Sequence, residues 1–152
     1  MARIQVTGFN HTSFTVTNLE NCVGFFRDLL GFELESMGPR APGVIEGISG
    51  IPGARITVAM LDGYGHRMEL IEYNGPENRG SYLPPVCDAG ATHIALNVAD
   101  MDAALEGARE YGFAPLGKVI LVDAGPNKGR RVVYLRNPDG LTVEFLEFPT
   151  ES

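Results

Sequence analysis

Two histidines and two glutamates recur in this chain at matched places. His11 opens HTSFTV and His93 opens HIALNV, each at the head of an alternating, strand-like run. Glu69 lies in MELIEY and Glu144 in VEFLEF, each near the end of its half of the chain. Imidazole nitrogens and carboxylate oxygens are donors for a borderline divalent cation, and two of each form a complete set of protein ligands. A lone strand histidine is usually a hydrogen-bonded core or surface residue, and a lone strand glutamate is usually solvated. Their joint recurrence in both halves favours metal binding.

The elements that must position these four side chains follow from periodicity. Gly8 to Thr17 is predicted as a strand, with Thr12, Phe14 and Val16 on one face and His11, Ser13 and Thr15 on the other. Asn18 offers a helix N-cap, Leu19, Cys22, Phe26 and Leu29 recur at helical spacing, and Gly31 suits the position after the helix. Residues 36–55, rich in Gly and Pro, predict a long loop with at most a short helix. Arg55 to Leu61 and His66 to Tyr73 predict two strands joined by the turn DGYG. In the second half, Thr92 to Val98 predicts a strand and Asp100 caps a helix carrying Met101, Ala104, Leu105, Ala108 and Tyr111, which Gly112 ends. Strands follow at Val119 to Val122 and Arg130 to Leu135, then the turn NPDG and a last strand from Leu141 to Phe148.

Glu69, Ile71 and Tyr73 share one strand face, as do Glu144, Leu146 and Phe148. An ionised carboxylate among apolar neighbours is costly unless it is paired or bound to a metal. A twisted sheet that curls could bring the first and last strands of each half onto one concave face.

The halves align. His11 maps to His93 and Asn18 to Asp100 at a spacing of 82, whereas Gly31-Phe32 maps to Gly112-Phe113 one residue short of it. MELIEY maps onto VEFLEF at a spacing of 75. The expectation is a single α+β domain over 1–152, made of two βαβββ copies at 4–75 and 90–149, with 74–91 as linker.

Composition narrows the function classes. With 44% hydrophobic and 20% charged residues, the 152-residue chain reads as a soluble globular domain. A net charge of −7 argues against a nucleic-acid partner, which needs a basic face. No run of 18 apolar residues and no cleavable leader stand in the sequence, so no membrane partner and a cytoplasmic location are expected. Two cysteines, Cys22 and Cys87, make no disulfide framework, and Cys22 is expected in the core. His66, Glu72 and Glu147 are expected to be solvated. Arg40, Lys128 and Arg130 lie in predicted loops and are candidates to hold an anionic substrate tail, while Glu46 is a candidate second base.

On HTSFTV with FFRDLLGFEL, MELIEYNGP, THIALNV, AGPNKGRR and NPDGLTVEFLE, the chain resembles the vicinal oxygen chelate superfamily. That group includes glyoxalase I, methylmalonyl-CoA epimerase, extradiol dioxygenases, fosfomycin-resistance thiol transferases and bleomycin-binding proteins. The resemblance implies two βαβββ modules in an open, cupped barrel around a divalent metal, Ni²⁺, Co²⁺, Mn²⁺, Zn²⁺ or Fe²⁺. It implies a homodimer, in which ligands can come from two chains. The family's metal positions fall on His11, Glu69, His93 and Glu144. Departures narrow it further. Glyoxalase I has Arg and Asn four residues after its first two ligands, both used to hold glutathione, where this chain has Thr15 and Tyr73. Methylmalonyl-CoA epimerases carry Gln and a histidine pair where this chain has Glu69 and Thr92-His93.

The leading expectation is therefore a metal-dependent isomerase, epimerase or lyase. It would act on a small carbon acid with vicinal oxygens by proton abstraction and a metal-stabilised enediolate. By resemblance to glyoxalase I, Glu144 is the base, and Glu69 faces it across the metal. Two alternatives share the scaffold: an Fe(II) extradiol-type dioxygenase using His11, His93 and Glu144, and a non-catalytic small-molecule binding or resistance protein.

Overall fold

The first half folds as β-α-β-β-β with a short helix inserted between its second and third strands, the second as β-α followed by four strands, and in each the first strand ends up beside the last. The computed structural model describes residues 3–148, so residue 149 of the second repeat copy lies outside the described residues. In the first half, β1 (Thr12–Val16) pairs in parallel with β4 (His66–Gly75). Antiparallel β3 (Arg55–Gly63) and β2 (Glu33–Pro39) complete the order β1-β4-β3-β2. In the second half, β5 (Ile94–Val98) pairs in parallel with β9 (Thr142–Glu147), followed by β8 (Arg131–Arg136) and β6 (Ala114–Pro115). The short β7 (Ile120–Leu121) also pairs with β8. The fold is α+β, with two open sheets related by the internal repeat.

Proximity of the first and last strands thus comes from direct parallel pairing, where curling of the sheet was expected. Parallel neighbours need a crossover. The helix after each first strand begins it, and the remaining strands of the module complete it.

Two further differences follow from patterning. The strand β2 occupies ELESMGP, which lacks apolar alternation because it is an exposed edge strand, where Pro39 is tolerated. At the N-terminus, residues 3–11 run without regular structure, leaving Ile4, Val6 and Phe9 exposed, so β1 is shorter than predicted.

The helices start as their caps require. The helix α1 (Leu19–Gly24) has Asn18 as N-cap, whose Oδ1 accepts from Asn21 N, and continues through one π-helical turn, Phe25–Leu29. Gly31 follows in the left-handed region at φ +76°. A short α2 (Val44–Ser49) lies between left-handed Gly43 and Gly50. The helix α3 (Met101–Glu110) is capped by Asp100, which accepts from Asp102 N and Ala103 N.

Glu72 and Glu147, expected in solvent, complete these caps. Glu72 Oε2 accepts from Leu19 N at 2.7 Å, and Glu147 Oε1 accepts from Met101 N at 2.7 Å. Each helix start offers an orphan N–H and the positive end of its dipole, which draw a carboxylate in from the last strand.

One cluster of buried side chains spans both halves. Its centre is the Phe25 ring stacked on Phe113 at 3.8 Å between centroids, where the first helix meets the second module. Cys22 is buried there, as expected. Burial pushes its thiol up to about 12, nearby Asp139 adding to the effect. A separate cluster, Ile56, Val58 and Met60 with Ile71, Tyr73 and Ile45 of α2, covers the face of the first sheet turned away from α1. His66 is half-buried, its Nε2 enclosed without a hydrogen-bond partner and its ring 6.1 Å from that of Phe9. No described helix is long and apolar enough to cross a membrane.

Candidate metal centre

Strand register sets each His–Glu pair. In the first module Ser13 of β1 lies opposite Glu69 of β4, and His11 stands immediately before β1. The side chains of Met68 and Leu70 enter the helix-side core, so Glu69 projects from the other, open face. His11 Nε2 lies 3.5 Å from Glu69 Oε2. Ser13 Oγ donates to the same Glu69 oxygen at 2.9 Å. His11 Nδ1 lies 2.6 Å from Asn10 Oδ1. With the proton assigned to Nδ1, the Nε2 lone pair faces Glu69.

The second module repeats the plan with different neighbours. Ala95 of β5 lies opposite Glu144 of β9, and Tyr134 of β8 opposes Glu144 from the other side. His93 Nε2 lies 3.3 Å from Glu144 Oε2, and the His93 ring tilts against Tyr134 at 4.9 Å. Both carboxylates are mostly buried, 17% exposed for Glu69 and 15% for Glu144.

These separations suit a shared cation. Donors held ~2.1 Å from an ion at square or tetrahedral angles sit about 3.0–3.4 Å apart. Each pair therefore presents two donors at the spacing that half of a ligand set would need. The two halves do not join within one chain: among the described residues, no three His, Cys, Asp or Glu side chains gather as a metal cluster.

The open faces differ in chemistry. Around Glu69 the wall is the apolar cluster of Met60, Val58, Ile56, Ile71 and Tyr73. On the second sheet, Val132, Tyr134 and Arg136 share the face of Glu144, and Thr142 sits opposite Arg136.

Of the remaining candidates, Arg130 lies over the Phe148 ring at 3.8 Å and donates from Nη1 to Asn127 Oδ1. Arg40 and Lys128 are exposed on loops and bond to none of the four candidate ligands. Glu46 is exposed on α2, and its Oε2 accepts from Gly53 N. Sequence patterning placed Ser13 on the His11 face but gave no sign that it reaches Glu69, because that contact depends on parallel register. Tyr134 and Asn10 were missed for the same reason: nothing local marks them.

The chain belongs to the Glyoxalase/Bleomycin resistance protein/Dioxygenase superfamily, whose sequence profile matches residues 8–145. Among its relatives is a 2-epi-5-epi-valiolone epimerase from an Actinomyces species, 33% identical over 92% of this chain and 79% of that protein. A lactoylglutathione lyase from Haemophilus influenzae is 28% identical over 90% of each chain. A glyoxalase family protein from Bacillus cereus has the same fold, with a TM-score of 0.80 over 97% of each chain at 23% identity. A fosfomycin resistance protein from Listeria monocytogenes, solved with Mn(II) and sulfate, superposes with a TM-score of 0.58 at 15% identity, over 94% of this chain and 93% of that one.

Proposed function

We propose that the protein is a divalent-metal-dependent epimerase or isomerase of a small hydroxyketone, working as a homodimer. The observation that carries this is the duplicated His–Glu pair, each at ligand spacing on an open sheet face and each only half of a ligand set. His11 and Glu69 of one copy with His93 and Glu144 of a second would hold the ion. Two features support a second copy as partner. Both β1 and β5 are sheet edges, with backbone groups free to accept a strand, and the segment leading into β1 exposes Ile4, Val6 and Phe9. The Actinomyces relative, named for epimerising a ketone, supports this class of reaction.

An ion held by His11, Glu69, His93 and Glu144 would supply Lewis-acid chemistry at the substrate. The chain's own residues then divide the work. Glu69 is fixed by Ser13 Oγ, which suits it to holding. No hydroxyl of the described residues donates to Glu144, so it has acceptor capacity to take a proton from the carbon beside the carbonyl and return it. The apolar wall at Met60 excludes water from one side of the substrate.

Equilibrium metal uptake tests the reading. Purified protein loaded with Mn²⁺, Co²⁺, Ni²⁺, Zn²⁺ or Fe²⁺ should bind one ion per chain and sediment as a dimer, since a dimer assembles two such sites. Loaded protein should exchange deuterium from solvent into a hydroxyketone. Uptake of no ion, or a tight-binding monomer, overturns it.

A further inference from the structure

A cavity of about 550 Å³ opens beside the second half-site, between the linker and the ends of β1 and β9. We propose that it is an oxyanion subsite built on Arg136, taking the phosphate or carboxylate of an anionic hydroxyketone, the place of the reacting carbon resting on the metal-site reading above.

Register locates the Arg136 backbone. Ile94 pairs with Val143, so His93 neighbours Thr142, and Thr142 pairs with Arg136. Two strand spacings put the Arg136 backbone roughly 10 Å from that of His93, on one row of the same open face. An anion held at Arg136 therefore sits within a few carbons, or one sugar ring, of oxygens bound beside His93.

The side chain is pre-set. Arg136 Nε donates to Thr142 Oγ1 at 2.9 Å and Nη1 donates to Pro84 O at 2.8 Å, which fixes the guanidinium plane. No carboxylate pairs with Arg136 among the described residues, and Nη2 makes no hydrogen bond there. A half-buried guanidinium held by neutral acceptors has no carboxylate partner among the described residues and a free edge for a bidentate oxyanion. Thr15, Ser81, Thr92 and Arg79 on the lining add donors. Asp139 also lines the cavity as an anion, its oxygens accepting from Thr17 N and Thr17 Oγ1, so the charge of Arg136 has to outweigh it. Glu77 opposes an anion, and Arg79, two residues along, offsets it.

The test compares inorganic phosphate, dihydroxyacetone and dihydroxyacetone phosphate by calorimetry on the metal-loaded protein. Dihydroxyacetone phosphate should bind more tightly than dihydroxyacetone. Arg136→Gln should weaken phosphate and the phosphorylated ketone about tenfold or more and leave dihydroxyacetone unchanged. Arg136→Lys keeps the charge and loses the fork, so it should fold and fall between the two. Equal phosphate affinity in wild type and Arg136→Lys overturns the forked site. Phosphate binding without preference for the phosphorylated ketone overturns its assignment to substrate. Metal uptake on the same samples separates the readings. Protein that takes up no ion yet binds phosphate through Arg136 overturns the metal reading alone. Protein that takes up the ion and ignores phosphate overturns this one alone.

Discussion

Ser13 donates to Glu69, whereas the matching residue of the second half, Ala95, has no hydroxyl to offer Glu144. Met60 opposes Glu69 from the neighbouring strand, whereas Tyr134 opposes Glu144. The two half-sites share their donors and nothing else close by. Duplication explains the shared part, since one module supplied one histidine and one glutamate and its copy supplied the others. Divergence explains the rest: one carboxylate is tied down on an apolar wall, and the other is left with spare acceptor capacity on a polar one. Holding and reacting can be divided between two residues of the same type when only their neighbours differ.

The sharpest way to break this contrast is to remove each carboxylate's charge. Glu144→Gln should lower turnover about 10²–10⁴-fold, the usual worth of a positioned base. Glu69→Gln should act mainly by weakening metal affinity and recover at high metal concentration. Equal responses to added metal would erase the division of labour. Next in size, Ser13→Ala should cost about 10–100-fold in metal affinity, the typical loss when a group supporting a ligand is removed. The reciprocal Ala95→Ser should slow turnover by tying Glu144 as Glu69 is tied; direct metal titration with single-turnover kinetics reads both. A smaller effect separates the helix caps. Glu147 also pairs with Arg131 at 3.2 Å, so Glu147→Ala should destabilise more than Glu72→Ala, each by about 1 kcal/mol in urea unfolding.

The smallest effect contrasts Cys22 with its repeat mate Ala104. The folded thiol is pushed from 9.0 to about 12, so it stays protonated while the unfolded chain releases its proton above 9.0. Above pH 9 the unfolded state binds fewer protons, and stability falls as pH rises. Cys22→Ala should flatten that alkaline slope, as urea midpoints at about pH 8 and pH 10 would show.

Much of this was legible in the sequence because it is local. The caps at Asn18 and Asp100, the glycines at 31 and 112, and the face shared by Glu69, Ile71 and Tyr73 follow from chemistry within one turn or one strand. The four candidate ligands were legible because duplication wrote them twice. What escaped depends on partners far along the chain. Glu72 looks like any solvated strand glutamate until α1 places Leu19 N beside it. Ser13 looks like surface polarity until parallel register sets it on Glu69. The strand β2 carries no alternation, because an edge with both faces partly wet imposes none.

The π-helical turn at Phe25–Leu29 accounts for the one-residue slip between the copies. Such a turn accommodates a single extra residue within a helix without shifting the faces on either side. Phe25 and Phe26 at the start of that turn and Phe32 after it all remain in the core. The first copy thus absorbs its one extra residue within its own helix, and the sheets on which the candidate ligands stand keep the same plan. Excising one residue there should leave an ordinary helix of the second copy's length and the same fold, a record of the common ancestor written in backbone geometry.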